Sequence, residues 1–543
     1  MRFLQESHYP LLSDPRVAPV WHRWKGTFCV GFTTIEPTWA TYPWLVKDPA
    51  PWRESPGPLS GVRNQFWKLV RDIRTPHQRW HEKQYWDMYP RCCRWGDVVR
   101  AKFDDIEFYC RKAVEQKVFD VEQWLAEALG PASQVRPPLW EVKPTNAQAS
   151  LGATFLSGDR RGLLVGEKAD CWPFVLEEAA RLERAAEELN LSWEMSVKAM
   201  RRALRSLSLF YVPFFRTDSK PGKPRLIWAG NSAMYVLEKR YGAALHQDLK
   251  GSEWYGNHPL KSALYIARMW ENHELLTSLD YSSWDLHVNW TTQRMLWQGL
   301  SKRYSWPQGI AVLLFAYNTL ADLWSPHLRF VERMGIQSSG SGIFSDINSL
   351  GSALVTCSSA IPSDYPAGPR GWVAAFGDNV VCWCPDGLAR MSSRAFRQWG
   401  AIIKPADSLQ SKSAVVFLRR LVDRQGGVEP ILLSRFRNAV CPKEPLWPAE
   451  VDRSRWIVKA PATGARMAMA LRAQTVELKV CLNDLEQGSK RSGYERLLEW
   501  WLRVVAPKRL LHLEMTDEEL SRVYGRELEN LTWVKALYGV ADS

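Results

Sequence analysis

The chain has 543 residues, a formal charge of +13, 46% hydrophobic residues and 24% charged residues. That apolar fraction excludes wholesale disorder, and 33 Gly and 33 Pro spread along the chain exclude a collagen-like or low-complexity protein. The positive excess favours a polyanionic partner, because each neutralised phosphate releases a condensed counterion. Ten cysteines without paired CxxC spacing exclude a zinc framework and suit a reducing compartment. The opening MRFLQESHYPLL lacks the apolar stretch of a secretory signal. The longest apolar run, Ile310 to Tyr317, falls far short of the roughly 20 residues that cross a bilayer. Tryptophan, at 29 residues, is several times its ordinary usage; core packing is expected to take most of it and base stacking some.

In chain order, the first 170 residues are rich in Trp and Pro with little periodicity, and Gly130 to Ser150 reads as a loop or boundary. Helical spacing begins near Leu176 and runs to Leu209, as EEAARLERAAEELN followed by SWEMSVKAMRRALRSL. Arg201, Arg202 and Arg205 are expected to form a solvated basic face there. PFFRTDSKPGKPRLIWAG follows, a dense basic run broken by two proline turns. Glu274 to Asp280 reads as a buried strand ending in a carboxylate. Ser339 to Cys357 starts as a Ser/Gly-rich loop and continues as a helix with the apolar stripe Ile343, Ile347, Leu350 and Leu354. Ile361 to Gly371 is a loop. Trp372 to Phe376 and Val380 to Trp383 predict a β-hairpin around a polar turn, Gly377-Asp378-Asn379, with Cys382-Trp383-Cys384 alternating along its second strand. Beyond about Val422 the chain reads as mostly helical, including Tyr494 to Val505 with Leu497, Leu498, Trp501 and Leu502 as a packing face. Strand, helix and hairpin in this order predict an α+β core in which two strand ends bring acidic residues together.

Those residues are Asp280 and Asp378. Nucleotidyl transfer uses two hard cations about 3.5–4 Å apart, one at the attacking 3′-hydroxyl and one at the leaving pyrophosphate. Magnesium takes oxygen ligands and is commonly held by one or two carboxylates plus substrate phosphates. Two aspartates on adjacent strand ends meet that need. An aspartate in a hairpin turn is also ordinary turn chemistry, so neither residue is diagnostic alone.

The ordered set of motifs is specific. Over about 200 residues the sequence resembles the viral RNA-dependent RNA polymerases, whose motifs occur in a fixed order. DYSSWD, Asp280 to Asp285, resembles motif A; SSGSGIFSDINS, Ser338 to Ser349, resembles motif B; AAFGDNVV, Ala374 to Val381, resembles motif C. Upstream, KPGKPRLIW, Lys220 to Trp228, is similar to the basic motif F. WGAIIKP, Trp399 to Pro405, and VVFLRRL, Val415 to Leu421, fall where motifs D and E belong. DYSSWD with SG…NS and FLRR is most similar to polymerases of double-stranded RNA viruses of the partitivirus and picobirnavirus group.

The resemblance implies a right hand of fingers, palm and thumb, with an antiparallel palm sheet and mostly helical fingers and thumb. The N-terminal region and fingers would span 1–269, the palm 270–425 with a fingers insertion at about 290–333, and the thumb and C-terminal region 426–543. It implies template-directed RNA synthesis from nucleoside triphosphates, for transcription and genome replication, with Mg2+ or Mn2+ at Asp280 and Asp378. Asp285, Ser339, Gly340 and Asn348 would line the pocket that reads the ribose 2′-hydroxyl, a group that donates and accepts. Lys220, Lys223 and Arg225 would neutralise the triphosphate. Lys404 would be the general acid for pyrophosphate, although the related lysine often lies nearer position 407, here Asp407. RNA, nucleotides and a capsid protein are the implied partners, and the host cytoplasm or virion interior the implied location.

Two departures from the pattern stand out. Motif C commonly ends in a second aspartate where this chain has Asn379, and the usual motif B threonine is Phe344 with Ser345 beside it. Two other readings predict different behaviour. A reverse-transcriptase-like palm enzyme would carry an aromatic at the position of Asp285, and a non-enzymatic basic RNA-binding protein would be indifferent to losing Asp280 or Asp378.

Overall fold

Among the described residues two hydrophobic clusters stand out, and each gathers around a different sheet. The computed structural model describes residues 3–33, 120–144, 151–157, 161–165, 168–216, 225–257, 259–282, 284–287, 290–325, 329–333, 335, 341–360, 368–404, 408–418, 420–424 and 428–430. The helix expected at Tyr494 to Val505, and nearly all of 426–543, lie outside these residues.

The N-terminal half begins with β1 (Phe3–Leu4), α1 (Ala18–Thr33), α2 (Val121–Leu129), and the short pair β2 (Phe155–Leu156) and β3 (Gly162–Leu163). Next come α3 (Lys168–Glu188) and α4 (Val197–Ser206). The helical periodicity expected from Leu176 is therefore two helices, and the first starts a turn or two earlier. Ser196 begins the second by accepting the Ala199 N–H on its side chain, so the chain stops and restarts at a cap. The hairpin β4 (Phe210–Arg216) and β5 (Arg225–Ala229) carries the basic run on its connection. Asn231 then caps α5 (Ser232–Tyr241), which passes through Gly242 into α6 (Ala243–Gly251) and α7 (Pro259–Asn272).

The second half runs β6 (Leu276–Asp280), α8 (Trp284–His287), α9 (Trp290–Arg303), α10 (Gln308–Leu320), β7 (Asp322–Ser325) and β8 (Arg329–Val331). It continues with α11 (Phe344–Ala360), β9 (Val373–Phe376), β10 (Asn379–Cys382), α12 (Leu388–Trp399), β11 (Leu409–Ser411), β12 (Ala414–Phe417), β13 (Arg420–Asp423) and β14 (Val428–Pro430). The last strand corrects the expectation of helix directly after Val422.

The larger cluster surrounds a four-stranded antiparallel sheet of order β11-β6-β10-β9. Helix α11 lies against β9 and α12. Its predicted stripe is buried, Ile343 and Ile347 at 2% and Leu350 and Leu354 at 0% exposure, and so is nearly every other residue from Asp346 to Ala360. The small residues Ser349, Gly351, Ser352 and Ala353 let neighbours approach a helix that is buried all round. The apolar run in α10 is likewise interior, buried from Ile310 to Leu320. Among the described residues no helix is long and apolar enough to cross a membrane.

The smaller cluster belongs to a five-stranded sheet of order β1-β8-β7-β4-β5, in which β4 and β7 are parallel and the other pairs antiparallel. The N-terminal segment seals it. Tyr9 stacks on Phe330, and Trp21 packs among Phe155, Phe210 and Trp324. Tryptophan serves the interior in both clusters, with Trp21, Trp124, Trp254 and Trp297 fully buried. The basic face on α4 is not a solvated one at two of its three positions. Arg205 pairs with Asp322 at 2.8 Å and Glu332 at 2.7 Å, and Arg201 donates to the Arg333 carbonyl at 2.7 Å. The acids answering them arrive from β7 and the residue after β8, more than a hundred positions away in sequence. Arg202 alone of the three is exposed.

Candidate active site

Strand β6 ends on Asp280, and β10 starts on Asn379 directly opposite it in the antiparallel register. The hairpin between β9 and β10 turns on only two residues, Gly377 and Asp378, since Phe376 already pairs with Asn379. Asn379 is thus a strand residue, not part of the turn as its sequence context suggests. Gly377 has φ +63°, the positive value that a two-residue turn with glycine in its first place demands. The tight turn sets Asp378 immediately beside the pair Asp280–Asn379. Asn379 Nδ2 donates to Asp378 Oδ1 at 3.0 Å, which orients one carboxylate oxygen.

Lys404 joins this group. Gly400, in the left-handed region at φ +67°, stops α12 and turns the chain back along β6. Ser282 donates to the Ile402 carbonyl at 2.8 Å, Tyr281 bridges Ile403, and the Lys404 N–H donates to the Asp280 carbonyl at 2.9 Å. With the backbone so placed, Lys404 Nζ reaches Asp280 Oδ2 at 3.0 Å. Both side chains keep about a third of their surface open, 33% and 34%. Ser408 fastens the loop, accepting the Asp280 N–H at 3.3 Å and donating to the Lys404 carbonyl at 2.8 Å.

Helix α11 supports the turn from below. Ser349 Oγ accepts the Gly377 N–H at 2.8 Å while donating to the Ser345 carbonyl at 2.6 Å. One residue earlier, Asn348 is 3% exposed and its Oδ1 has no hydrogen-bond partner among the described residues. A buried acceptor left unpaired costs roughly 1–3 kcal/mol, so the position is paid for by something other than packing. Asp285 lies in the first turn of α8, half-buried. Its neighbour Trp284 donates to the Asn348 carbonyl at 3.3 Å, which brings the segment of Asp285 to that of Asn348. Tyr281, next to Asp280, shares a hydrogen bond with Thr356 Oγ1 at 2.8 Å. Burial pushes the Tyr281 hydroxyl well above its ordinary pKa, so it stays a neutral partner.

Six of the predicted residues are described with their side chains: Asp280, Asp285, Asn348, Asp378, Asn379 and Lys404. Ser339, Gly340, Lys220 and Lys223 lie outside the described residues, and Arg225 is described only as the first residue of β5. Sequence reasoning missed Ser349, Ser408 and Thr356, which hold Gly377, the Asp280–Lys404 loop and Tyr281 in place. Ser349 had one usable signal, its place in a hydroxyl stripe at helical spacing, Ser345, Ser349, Ser352, Thr356 and Ser359. Among the described residues no three His, Cys, Asp or Glu side chains gather to cage a metal. Asp280 and Asp378 instead offer two hard oxygen donors, which fits a magnesium ion that keeps water and takes further ligands from substrate phosphates.

No family model and no curated protein matches the sequence. Among solved structures, the insertion-loop deletion mutant of the RNA-dependent RNA polymerase of a human picobirnavirus is similar at TM-score 0.51 and 14% identity, over 92% of this chain and 96% of that one. The polymerase of a human picobirnavirus without that deletion is similar at TM-score 0.48 and 15% identity, over the same shares. The first likeness shows a shared fold of mixed helix and sheet.

Proposed function

We propose that this chain is an RNA-dependent RNA polymerase that copies an RNA template from nucleoside triphosphates, serving transcription and genome replication of a double-stranded RNA virus. One observation carries the reading: Asp280 and the Gly377–Asp378 turn meet at adjacent strand ends, in a fold shared with a picobirnavirus polymerase. In this reading the sheet β11-β6-β10-β9 belongs to the palm at 270–425, fingers come from 1–269 with the insertion at 290–333, and the thumb from 426–543. RNA and nucleotides are its partners. A capsid protein, in the virion or host cytoplasm, would be a further one.

Asp280 and Asp378 would hold Mg2+, or Mn2+, and the ion would supply activation of the 3′-hydroxyl and neutralisation of phosphate charge. The chain's own groups do the rest. Asn379 orients Asp378, and Ser349 fixes the turn that carries it. The Asn348 Oδ1 is a ready acceptor for a ribose hydroxyl, and Asp285 stands on the adjoining segment to complete a pocket for the 2′-hydroxyl, with Ser339 and Gly340, which precede α11 in sequence. Lys404, in contact with Asp280, gives a proton to the departing pyrophosphate in this reading. Lys220, Lys223 and Arg225, on the β4–β5 connection and its end, neutralise the triphosphate.

The test is labelled-nucleotide incorporation on single-stranded RNA with magnesium and with manganese, comparing the chain with Asp378→Ala. Synthesis that requires template and metal and is lost in the variant is the expected result. Synthesis unchanged by Asp378→Ala would refute the reading.

A further inference from the structure

Glu238 lies on α5, the helix that follows the β4–β5 hairpin, and is 1% exposed. Its carboxylate accepts from three neutral donors: the Asn318 amide on α10 at 2.8 Å, the Ser341 hydroxyl at 2.9 Å and the Gly342 N–H at 2.5 Å. Burial pushes its pKa up to about 6, although those bonds pull the other way. A buried carboxylate ringed by neutral groups costs the folded state. Asn318 anchors from its own helix, also donating to the Leu314 carbonyl at 2.9 Å.

The other two donors say what the carboxylate holds, because Ser341 and Gly342 immediately precede Ile343 and α11. The approach is close: a Cβ on Gly342 would lie 3.2 Å from Glu238 Oε2 and 3.2 Å from Tyr235 Cδ2. Ile343 is pressed against the end of the same helix, for a Cβ on Gly242 would lie 2.3 Å from Ile343 Cγ2. The head of α11 is therefore gripped at three consecutive residues from one side. A negative charge at this end also suits the helix dipole. Downstream on the same helix stand Asn348, with its unpaired acceptor, and Ser349, which holds the Gly377 N–H. In a close-packed interior a displaced helix head carries these residues with it.

We propose that Glu238 is a positioning residue for nucleotide selection: its grip on Ser341 and Gly342 sets where Asn348 meets the incoming sugar and where Ser349 supports the Gly377–Asp378 turn. The proposal rests on the polymerase reading above. Glu238 touches no reacting group, so its effect is on selection more than on folding.

Glu238→Gln keeps the side-chain shape but turns an amide N–H2 toward donors, so at least one of the three bonds is lost. The full-length protein and this variant are compared by thermal unfolding, by hydrogen exchange of the amides at 341–349, and by kcat/KM for ribo- and deoxyribonucleotides on one template. The expected variant is folded, exchanges at 341–349 about tenfold faster, and discriminates between the sugars about tenfold less, a loss of about 1.4 kcal/mol in selectivity. Unchanged exchange and unchanged discrimination would overturn the proposal. If Glu238→Gln does not fold, Ser341→Ala removes a single donor and carries the same expectation at about threefold; unchanged discrimination there overturns it equally. A wild type without template-dependent synthesis would overturn the polymerase reading and this role with it. An active wild type matched by its variant would overturn this role alone.

Discussion

Two aspartates at strand ends have opposite fates in this molecule. Asp322 opens β7 beneath the N-terminal segment, 2% exposed, and accepts from the Tyr9 hydroxyl at 2.6 Å and from Arg205 at 2.8 and 3.3 Å. Burial and Asp322 together push the Tyr9 hydroxyl well up, which keeps it a donor. Asp280 closes β6 with a third of its side chain open, and Lys404 is the cation on it. The first carboxylate has most of its acceptor capacity filled by the protein, while the second keeps capacity for something that is not protein. What separates a keystone from a site is thus not residue type or strand position but how many of its partners the fold supplies.

Substitution should split the two. Asp322→Ala leaves the Arg205 guanidinium, half-buried beside Glu332, without its main partner, and is expected to cost about 3–5 kcal/mol in chemical denaturation. Asp280→Ala removes a pair that is open to solvent and is expected to cost no more than about 1 kcal/mol of stability, yet to lower nucleotide incorporation roughly a thousandfold or more. Equal destabilisation by the two would erase the distinction.

Ser349→Ala probes the support rather than the carboxylate. It strips the Gly377 N–H of its acceptor, so a cost of about 1–3 kcal/mol is expected, read as a fall of roughly tenfold or more in kcat with template binding retained. Ser349→Thr, which keeps the hydroxyl, should recover part of that loss; an alanine variant with wild-type kcat would show that the turn holds itself.

How much of this was visible in the residues follows from the range of each interaction. The strand ending in Asp280, the glycine turn before Asn379 and the apolar stripe of α11 are local patterns, and each is an observed element. Lys404 reaches Asp280 across 124 positions and Arg205 reaches Asp322 across 117, so the same residue type looks alike in a solvated face and in a buried network. The expected turn of Gly-Asp-Asn is one residue too long because a two-residue and a three-residue loop share those letters; only the pairing of Asn379 with Phe376 separates them. Ser349 was passed over because one serine among the several of this helix reads as a small packing residue until the N–H above it is known.

Glu238 sharpens the comparison as a third case, sealed like Asp322 but ringed by neutral donors. Its pKa of about 6 lies above the ordinary 4.5, because burial opposes the charge. Between these values the folded chain binds the proton more tightly than the unfolded chain. This contribution to stability is therefore fully present below about pH 4.5 and is lost as pH rises through about 6, by about 2 kcal/mol at 1.4 kcal/mol per pKa unit. The difference in unfolding free energy between the wild type and Glu238→Gln should change by this amount across that window, and parallel curves would show that the carboxyl titrates as if exposed.

The smallest expected effect concerns the residue opposite Asp280. Asn379 donates to Asp378 and brings no charge of its own, so the strand ends hold two carboxylates where a Gly-Asp-Asp turn would hold three. Asn379→Asp removes that donor and adds a like charge beside Asp378, which raises the demand for a hard divalent cation and favours the ion that binds carboxylate oxygen with strict geometry. The expected outcome is retained synthesis with the ratio of magnesium- to manganese-supported rates raised about threefold, less than 1 kcal/mol. Loss of all synthesis in a folded Asn379→Asp protein would mean that the amide's bond to Asp378, and not the charge of the site, is what the position is for.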